Sequence, residues 1–126
     1  MLFDTDVIIW ALRGSKAAAA RIDRESRLHI SAVTYMELVK GARDKQELKT
    51  IRDYLNTLGF QIIPITENIS HRAMIYMEGY ALKSGMELAD ALIAATAMEN
   101  SSSLCTANDK HYKVVPDLQL SVFRPD

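Results

Sequence analysis

The stretch Met1-Leu-Phe-Asp4-Thr-Asp6 decides the fold, because a short apolar strand ends there on two carboxylates. Leu2 and Phe3 are typical of a buried strand, and the apolar run over residues 7–12 predicts a helix directly after it. Asp6 is the better N-cap for that helix, which leaves Asp4 as a carboxylate against the core. The stretch therefore predicts a strand, an acidic turn and a helix in succession.

The rest of the chain continues this alternation of short apolar strands and helices. Strands are predicted over residues 28–30, 60–65, 103–106 and 118–123. Helices are predicted over residues 15–24, 45–58, 66–83 and 87–98, and a further helix begins at Ser31 or Thr34 and ends at Gly41. Such alternation predicts an α/β fold with a central parallel sheet and helices on both faces. In such sheets ligands bind beyond the carboxyl ends of the strands, where we expect Asp4, Asn108 and Asp109.

Length and composition fit one globular domain over residues 1–126, large enough for a hydrophobic core. No apolar run approaches the roughly 20 residues that cross a bilayer, and the first residues lack the basic segment of a signal peptide. The single cysteine, Cys105, predicts a small buried core residue and a reducing, cytoplasmic location. The net charge of −1 is unlike that of strong nucleic-acid binders, but it permits an enzyme that holds phosphates locally.

One segment of the chain is rich in basic side chains. It contains Arg13, Lys16, Arg21, Arg24 and Arg27, against Asp23 and Glu25. Two interpretations are open, the solvated face of a helix and a strip that binds phosphates. Charge runs of this kind are usually solvent faces, so the pattern favours the first interpretation.

Two further carboxylates lie within helices that are otherwise largely apolar. Glu37 borders a stripe predicted from Val33, Met36 and Val39, and this pattern fits a functional carboxylate and a surface carboxylate equally well. Asp90 lies in the first turn of a helix whose apolar character predicts burial on all sides. A helix N-terminus favours a carboxylate by about 0.3–1 kcal/mol, less than burial of a charge costs, so a buried Asp90 needs a partner or a cation.

The segment after the strand at residues 103–106 carries Asn108, Asp109 and His111. Asn108 and Asp109 are either turn residues or ligands, and His111 is either a metal ligand or a general base. The histidines lack the spacing of a zinc site, and oxygen ligands favour Mg²⁺ or Mn²⁺. Acidic and amide side chains from four parts of the chain therefore predict one pocket that binds a hard divalent cation, with phosphodiester chemistry as the leading function.

In this order and spacing, four patches resemble the PIN-domain ribonucleases, and among them the VapC-type toxins of prokaryotic toxin–antitoxin pairs. The patches are Asp4-Thr5, Ser31-Ala-Val-Thr-Tyr-Met-Glu37-Leu-Val-Lys-Gly41, Ala89-Asp90-Ala-Leu-Ile-Ala-Ala95 and Thr106-Ala-Asn108-Asp109-Lys-His111-Tyr112. Leu118 and Leu120, followed by Pro125, resemble the tail of the family. The resemblance covers nearly the whole chain.

The resemblance implies a three-layer α/β/α fold and a metal-dependent endoribonuclease that hydrolyses RNA. The implied catalytic set is Asp4, Glu37, Asp90, Asn108 and Asp109. The first three would hold Mg²⁺ or Mn²⁺, and one of the last two would fill a fourth position. Thr5, Asp6 and Thr106 would surround the ions and orient waters. A homodimer and a small antitoxin, whose helix covers the pocket, are also implied.

Three rival functions are open. The first is a catalytically weak PIN-like module that binds RNA or serves as a scaffold. The second is a phosphatase or receiver-like domain, which needs a lysine at a strand end that the sequence does not offer. The third is a nuclease directed at DNA, because a metal pocket alone does not distinguish sugars.

Overall fold

The strands of the computed structural model, which describes residues 1–125, form one sheet. They are β1 (Leu2–Phe3), β2 (His29–Ser31), β3 (Gln61–Ile63), β4 (Leu104–Thr106) and β5 (Leu120–Val122). Neighbouring strands are parallel, in the order β3-β2-β1-β4-β5. The strands β2 and β3 lie on one side of β1, and β4 and β5 lie on the other, so the strand order reverses between β1 and β4. In parallel sheets ligands are expected to bind at such a point.

Helices cover both faces of this sheet. They are α1 (Thr5–Leu12), α2 (Lys16–Asp23), α3 (Ala32–Gly41), α4 (Lys45–Leu58), α5 (Glu67–Ser84) and α6 (Leu88–Glu99). Neighbouring strand residues point to opposite faces. Leu2 therefore packs in a hydrophobic cluster with α5 and α6, whereas Phe3 packs in a second cluster with α1, α2 and α4. The predicted three-layer α/β/α architecture is confirmed.

The helix ends follow signals that the sequence carries. Ser15 and Ser31 are N-caps whose hydroxyl oxygens accept from the backbone N–H of Ala18 and Val33. Gly59 and Gly85 end α4 and α5 in the left-handed conformation, which glycine adopts without strain. No helix of residues 1–125 is both long and apolar enough to cross a membrane.

The start of α1 differs from the prediction. Asp4, not Asp6, is the N-cap, and its Oδ1 accepts from the Thr5 N–H at 2.8 Å. The helix therefore begins at Thr5, two residues earlier than predicted. Asp6 lies within its first turn and points toward the end of β4, because its carboxylate accepts from the backbone N–H of Ala107.

The predicted burial of two helices is also wrong in detail. Val33, Thr34 and Leu38 are buried in α3, whereas Met36 is 54% exposed. The reason is that α3 serves both layers, with Val33 in one hydrophobic cluster and Leu38 in the other. The helix α6 is not buried on all sides, because Leu88 at its start is 66% exposed.

Candidate active site

The ends of the two central strands bring Asp4 and Thr106 together. Asp4 follows β1 and is 8% exposed, and its backbone N–H donates to the Cys105 carbonyl of β4 at 2.8 Å. The Thr106 hydroxyl donates to Asp4 Oδ2 at 2.8 Å, while Oδ1 is the α1 cap. Both carboxylate oxygens of Asp4 are therefore fixed by the fold.

Asp6 lies beside this arrangement with one oxygen satisfied and one free. Its Oδ2 accepts from the Ala107 N–H at 3.1 Å and lies 3.5 Å from the Thr106 hydroxyl. Its Oδ1 is buried and has no hydrogen-bond partner among residues 1–125. An unpartnered buried carboxylate oxygen is rare, because losing its water costs free energy that nothing repays.

The Asp4 and Asp6 carboxylates disturb each other. Burial and then the neighbouring charge of Asp6 raise the pKa of Asp4 to about 7, against the lowering effect of the Thr106 hydroxyl. Burial likewise raises the pKa of Asp6. Two carboxylates in one partly dry pocket repel each other, so the pair binds either a proton or a cation.

Tyr112 lies near both this pair and Asp90. Its side chain is buried, and among residues 1–125 its hydroxyl has no partner within good hydrogen-bond geometry. Burial raises the pKa of Tyr112, and the charges of Asp4, Asp90 and Asp6 raise it further. The hydroxyl therefore lies in the combined field of three aspartates. The sequence noted Tyr112 only as a motif position next to His111 and offered no sign of this role.

Asp90 is partly exposed rather than deeply buried. Its side chain is 21% exposed, and Oδ2 accepts from the backbone N–H of Glu87 at 3.1 Å. His111 Nδ1 lies 2.8 Å from the same oxygen, so the imidazole donates through Nδ1 when Asp90 is ionised. The partner that the sequence required for Asp90 is therefore His111.

Glu37 is an exposed residue that Thr5 ties to the pocket. The Thr5 hydroxyl donates to Glu37 Oε1 at 2.6 Å, and its oxygen lies 3.0 Å from the Thr34 hydroxyl. Thr5 also follows Asp4 directly, so one residue connects the two acids. The sequence did not decide whether Glu37 is a surface residue or a site residue. In the structure Glu37 is exposed, as a surface residue would be, but it contacts Thr5 beside Asp4.

The loop after β4 places Asn108 and Asp109 differently from the other candidates. Asn108 is exposed, and its backbone N–H donates to the Thr106 hydroxyl oxygen at 3.0 Å. The Asp109 carboxylate bonds to Lys113 at 3.1 Å and lies 3.6 Å from Arg124. The bond from Lys113 is the main cause that holds the pKa of Asp109 below its usual range. Its charge is thus already compensated within the protein.

Comparison with known proteins identifies the family. The family model of the PIN domain matches residues 1–118. The chain belongs to the PIN-domain family. It is 34% identical to the ribonuclease VapC10 of Mycobacterium tuberculosis over 125 residues, which cover 94% of this chain and 90% of that protein. It is 30% identical to the ribonuclease VapC19 of the same organism, over 94% of this chain and 96% of that protein.

A solved toxin–antitoxin complex from Klebsiella pneumoniae contains a chain of similar structure and sequence. The TM-score is 0.78 and the identity is 30%, with 93% of both chains covered. The arrangement of the sheet and the helices is therefore that of a PIN domain.

The donor groups of this PIN domain fit a hard divalent cation. As the side chains stand, no three His, Cys, Asp or Glu residues among residues 1–125 form a group close enough to hold a metal ion. The fit rests instead on the Asp4–Asp6 pair, with its raised pKa values and the free Oδ1 of Asp6. Mg²⁺ commonly binds through one or two carboxylates and keeps several waters, so such a pair is a suitable anchor.

A second concavity adjoins the acids of the PIN domain. It measures about 650 Å³ and is lined by residues of α1, α3 and α4, among them Ile9, Leu12, Leu38 and Ile51. Charged side chains also line it, among them Arg13, Arg43 and Glu37, so this cavity and the acidic pocket share Glu37. Sequence reasoning did not find this cavity, because it depends on how three helices are arranged in space.

Proposed function

We propose that this PIN-domain chain is a metal-dependent endoribonuclease, the toxin of a type II toxin–antitoxin pair. It hydrolyses RNA phosphodiesters at the pocket between β1 and β4. Two relatives that are called ribonucleases support this reaction class. The single observation that carries the proposal is the buried Asp4–Asp6 pair, whose charge has no basic partner among residues 1–125 and whose pKa values are raised.

Asp4, Glu37 and Asp90 are the proposed ligands of Mg²⁺ or Mn²⁺, and Asp6 adds charge beside them. When bound, such an ion activates a water for attack on phosphorus and stabilises the charge that develops on the phosphate oxygens. Oxygen donors of this kind are the ones that these two metals prefer.

The protein itself orients these acids. The Thr5 N–H and the Thr106 hydroxyl hold one oxygen each of Asp4, so this carboxylate keeps one orientation. The Thr5 hydroxyl holds Glu37, and His111 holds Asp90. Partners of this kind orient metal ligands and raise their basicity. Without a cation, Asp4 carries a proton during part of the time near neutral pH, because its pKa is about 7.

The proposed antitoxin binds in the cavity between α1, α3 and α4. The relative from Klebsiella pneumoniae was solved as a toxin–antitoxin complex, which supports a partner of this kind. Ile9, Leu12, Leu38 and Ile51 would contact the apolar side of an antitoxin helix. A basic side chain at the end of that helix would reach Glu37 and neutralise the acids.

The proposed homodimer uses the outer face of α5. Ile75 and Leu82 are 66% and 104% exposed and lie seven residues apart, on the same side of the helix. Leu88, at the start of α6, is also 66% exposed. Exposed apolar patches often mark contacts between proteins. A cytoplasmic location and a single domain over residues 1–126 stay predictions.

The alternative is a catalytically weak PIN domain that binds RNA without cutting it. It is favoured by the compensated charge of Asp109 and by the exposure of Asn108, which leave the fourth catalytic position without a free carboxylate. Binding of RNA with no cleavage at any metal concentration would distinguish this function.

The deciding experiment is the cleavage of a pool of structured RNAs by the purified protein with Mg²⁺ or Mn²⁺. We expect discrete cuts that EDTA and the Asp4→Asn variant both remove. Asp53→Asn is the matched control, because Asp53 is an exposed carboxylate on α4 that pairs only with Lys49 among the described residues. Equal cleavage by Asp4→Asn and by Asp53→Asn contradicts the proposal. Cleavage of DNA of the same sequence would instead indicate a DNA nuclease.

A further inference from the structure

A small basic cleft lies at the edge of the sheet. It measures about 360 Å³ and joins α2 with the end of β5. We define this arginine cleft by Arg21, Arg24, Ser121 and Arg124, which line it. The two parts are about a hundred residues apart in the chain, so the fold alone brings these arginines together. The sequence placed Arg21 and Arg24 in a basic segment that it interpreted as the solvated face of a helix or, as the less favoured alternative, as a strip that binds phosphates.

The arginine cleft adjoins the acidic pocket through a single residue, Ala107. The N–H of Ala107 donates to Asp6 Oδ2 at 3.1 Å. Its carbonyl oxygen accepts from Arg124 Nη1 at 2.8 Å. The two sides of one short backbone segment therefore face the acids and the arginines, respectively.

The strand pairing fixes this neighbourhood. In the parallel pair of β4 and β5, Thr106 lies opposite Val122, and the Phe123 N–H donates to the Thr106 carbonyl at 2.8 Å. Arg124 therefore follows β5 at the same edge of the sheet where Thr106 and Asp4 meet. The pairing of β4 with β5 therefore places the cleft and the pocket side by side at this edge.

The three arginines differ in how free they are to bind a ligand. Arg21 is only 12% exposed, donates to Glu25 at 2.8 Å and to Ser121 at 3.0 Å, and so forms the floor of the cleft. Arg24 is exposed and makes no side-chain hydrogen bond or ion pair among residues 1–125. Arg124 is 66% exposed and lies 3.6 Å from Asp109. Arg24 therefore presents its donors to solvent, whereas Arg124 is held by the Ala107 carbonyl at 2.8 Å and presents only its remaining donors.

The chemistry of the cleft suits a phosphate. A guanidinium is planar, always charged and matches two phosphate oxygens at once. The chain as a whole has a net charge of −1, so a cleft with three arginines is a local exception and not the result of a basic protein. An RNA strand cut at the acidic pocket has further phosphates on both sides of the cut, and the arginine cleft lies across Ala107 from that pocket.

From this placement we infer that the arginine cleft binds a backbone phosphate of the RNA substrate, next to the phosphodiester that is hydrolysed. The inference rests on the proposed function. Arg24 and Arg124 contact the phosphate, and Arg21 positions the cleft by joining α2 to β5. A phosphate held there orients the strand across Ala107 and places the adjacent phosphodiester at Asp4 and Asp6. Because backbone contacts read no base, the cleft adds affinity without adding sequence preference.

The test measures the affinity of a fluorescein-labelled single-stranded RNA by anisotropy, in the full chain carrying Asp4→Asn so that the strand stays intact. Arg24→Ala is compared with Arg27→Ala. Arg27 is also an exposed arginine, but it lines a concavity with His29, Gln61 and Ser103, at the opposite end of the sheet.

We expect Arg24→Ala and Arg124→Ala each to weaken binding by about three- to tenfold. The slope of log affinity against log salt concentration should fall by about one for each arginine removed from the cleft. Arg27→Ala should change neither quantity.

Steady-state cleavage kinetics supply a second readout. They use the protein that keeps Asp4, called the Asp4 protein below. Arg24→Ala and Arg124→Ala should each lower kcat/KM for RNA by about three- to tenfold, mainly through a raised KM, whereas Arg27→Ala should leave it unchanged. If the Asp4 protein cuts RNA but both variants match Arg27→Ala in affinity, salt slope and KM, the inference is wrong while the proposed function stands. If the two variants weaken only the binding of an antitoxin, the cleft is a protein contact and the inference is equally wrong. If the Asp4 protein cuts no RNA, the proposed function itself fails.

Discussion

The turn after β1 and the loop after β4 both carry carboxylates, yet the fold treats them in opposite ways. Asp4 is buried beside Asp6, and burial followed by that neighbouring charge raises its pKa to about 7. Asp109 lies beside Lys113 and Arg124, and the bond from Lys113 lowers its pKa. Among residues 1–125, Asp4 forms no ion pair with a basic side chain, whereas Asp109 pairs with Lys113.

The difference teaches that an acidic motif is not by itself a metal site. A carboxylate attracts a metal ion when its charge is uncompensated and its place is partly dry. Asp4 and Asp6 meet both conditions. Asp109 fails the first condition, because two basic side chains already share its charge. We therefore expect the two regions to respond very differently to the same substitutions.

The largest contrast should appear in RNA cleavage. Asp4→Asn keeps the N-cap of α1, because Asn caps as well as Asp, but it removes the charge that holds the cation. We expect a loss of more than about 100-fold, since even the partners of metal ligands contribute 10–100-fold. Asp109→Asn should reduce the rate by less than about threefold. Initial rates at saturating Mn²⁺ measure both, and equal losses in the two variants would break the comparison.

A smaller effect is expected from the hydroxyl that orients Asp4. Thr106→Val has almost the same shape but cannot donate to Asp4 Oδ2. The rate of cleavage should fall by about 10–100-fold, because the ligand loses its fixed orientation. Thr50→Val is the matched control, since the Thr50 hydroxyl is exposed and, among the described residues, bonds only to the Gln46 carbonyl. A full rate in Thr106→Val would show that the hydroxyl does not position Asp4.

The raised pKa of Asp4 predicts how stability depends on pH without a cation. Its folded pKa of about 7 lies above the ordinary value of 3.8, so its favourable contribution is complete below about pH 4 and is lost as the pH rises through 7. In EDTA, Asp4→Asn should therefore gain stability relative to the Asp4 protein between pH 5 and pH 8. Urea unfolding of both proteins at the two pH values measures this difference. A difference that is independent of pH contradicts the predicted shift, and Mg²⁺ should reduce it.

The smallest effect is expected from the ion pair between Lys113 and Asp109, and it concerns the thermal stability of the protein. Lys113→Ala removes an exposed partner of Asp109, whose own lowered pKa favours the folded state above the ordinary value of 3.8. Exposed ion pairs contribute little, so the melting temperature should fall by no more than about 2 °C at pH 7. A drop of many degrees in a thermal scan would show that the loop after β4 depends on this pair.

Much of the fold could be predicted from the sequence, because local signals agree with it. Leu2 and Phe3 read as a buried strand, and Ser15 and Gly59 mark helix ends where the structure has them. The placement of Asp4 at the carboxyl end of a parallel strand also follows from pattern. The assignment of Asp4, Glu37 and Asp90 as metal ligands stays a prediction that the experiments above address.

The remaining features depend on contacts between distant parts of the chain. The sequence favoured Asp6 as the cap of α1, because nothing local shows that Ala107, about a hundred residues away, binds its carboxylate. Asp109 looked as available as Asn108, because its partner Arg124 reaches it only through the position of β5 beside β4. The exposure of Met36 likewise depends on α3 contacting both layers.

The most direct test of the central claim is a calorimetric titration of the protein with Mn²⁺, compared with Asp4→Asn and Asp109→Asn. We predict that the Asp4 protein and Asp109→Asn bind Mn²⁺ with similar affinity and that Asp4→Asn gives no binding heat. Similar affinity in all three proteins would contradict the claim that the Asp4–Asp6 pocket is the metal site. Loss of binding in Asp109→Asn alone would assign the metal to the loop after β4 and reverse the comparison.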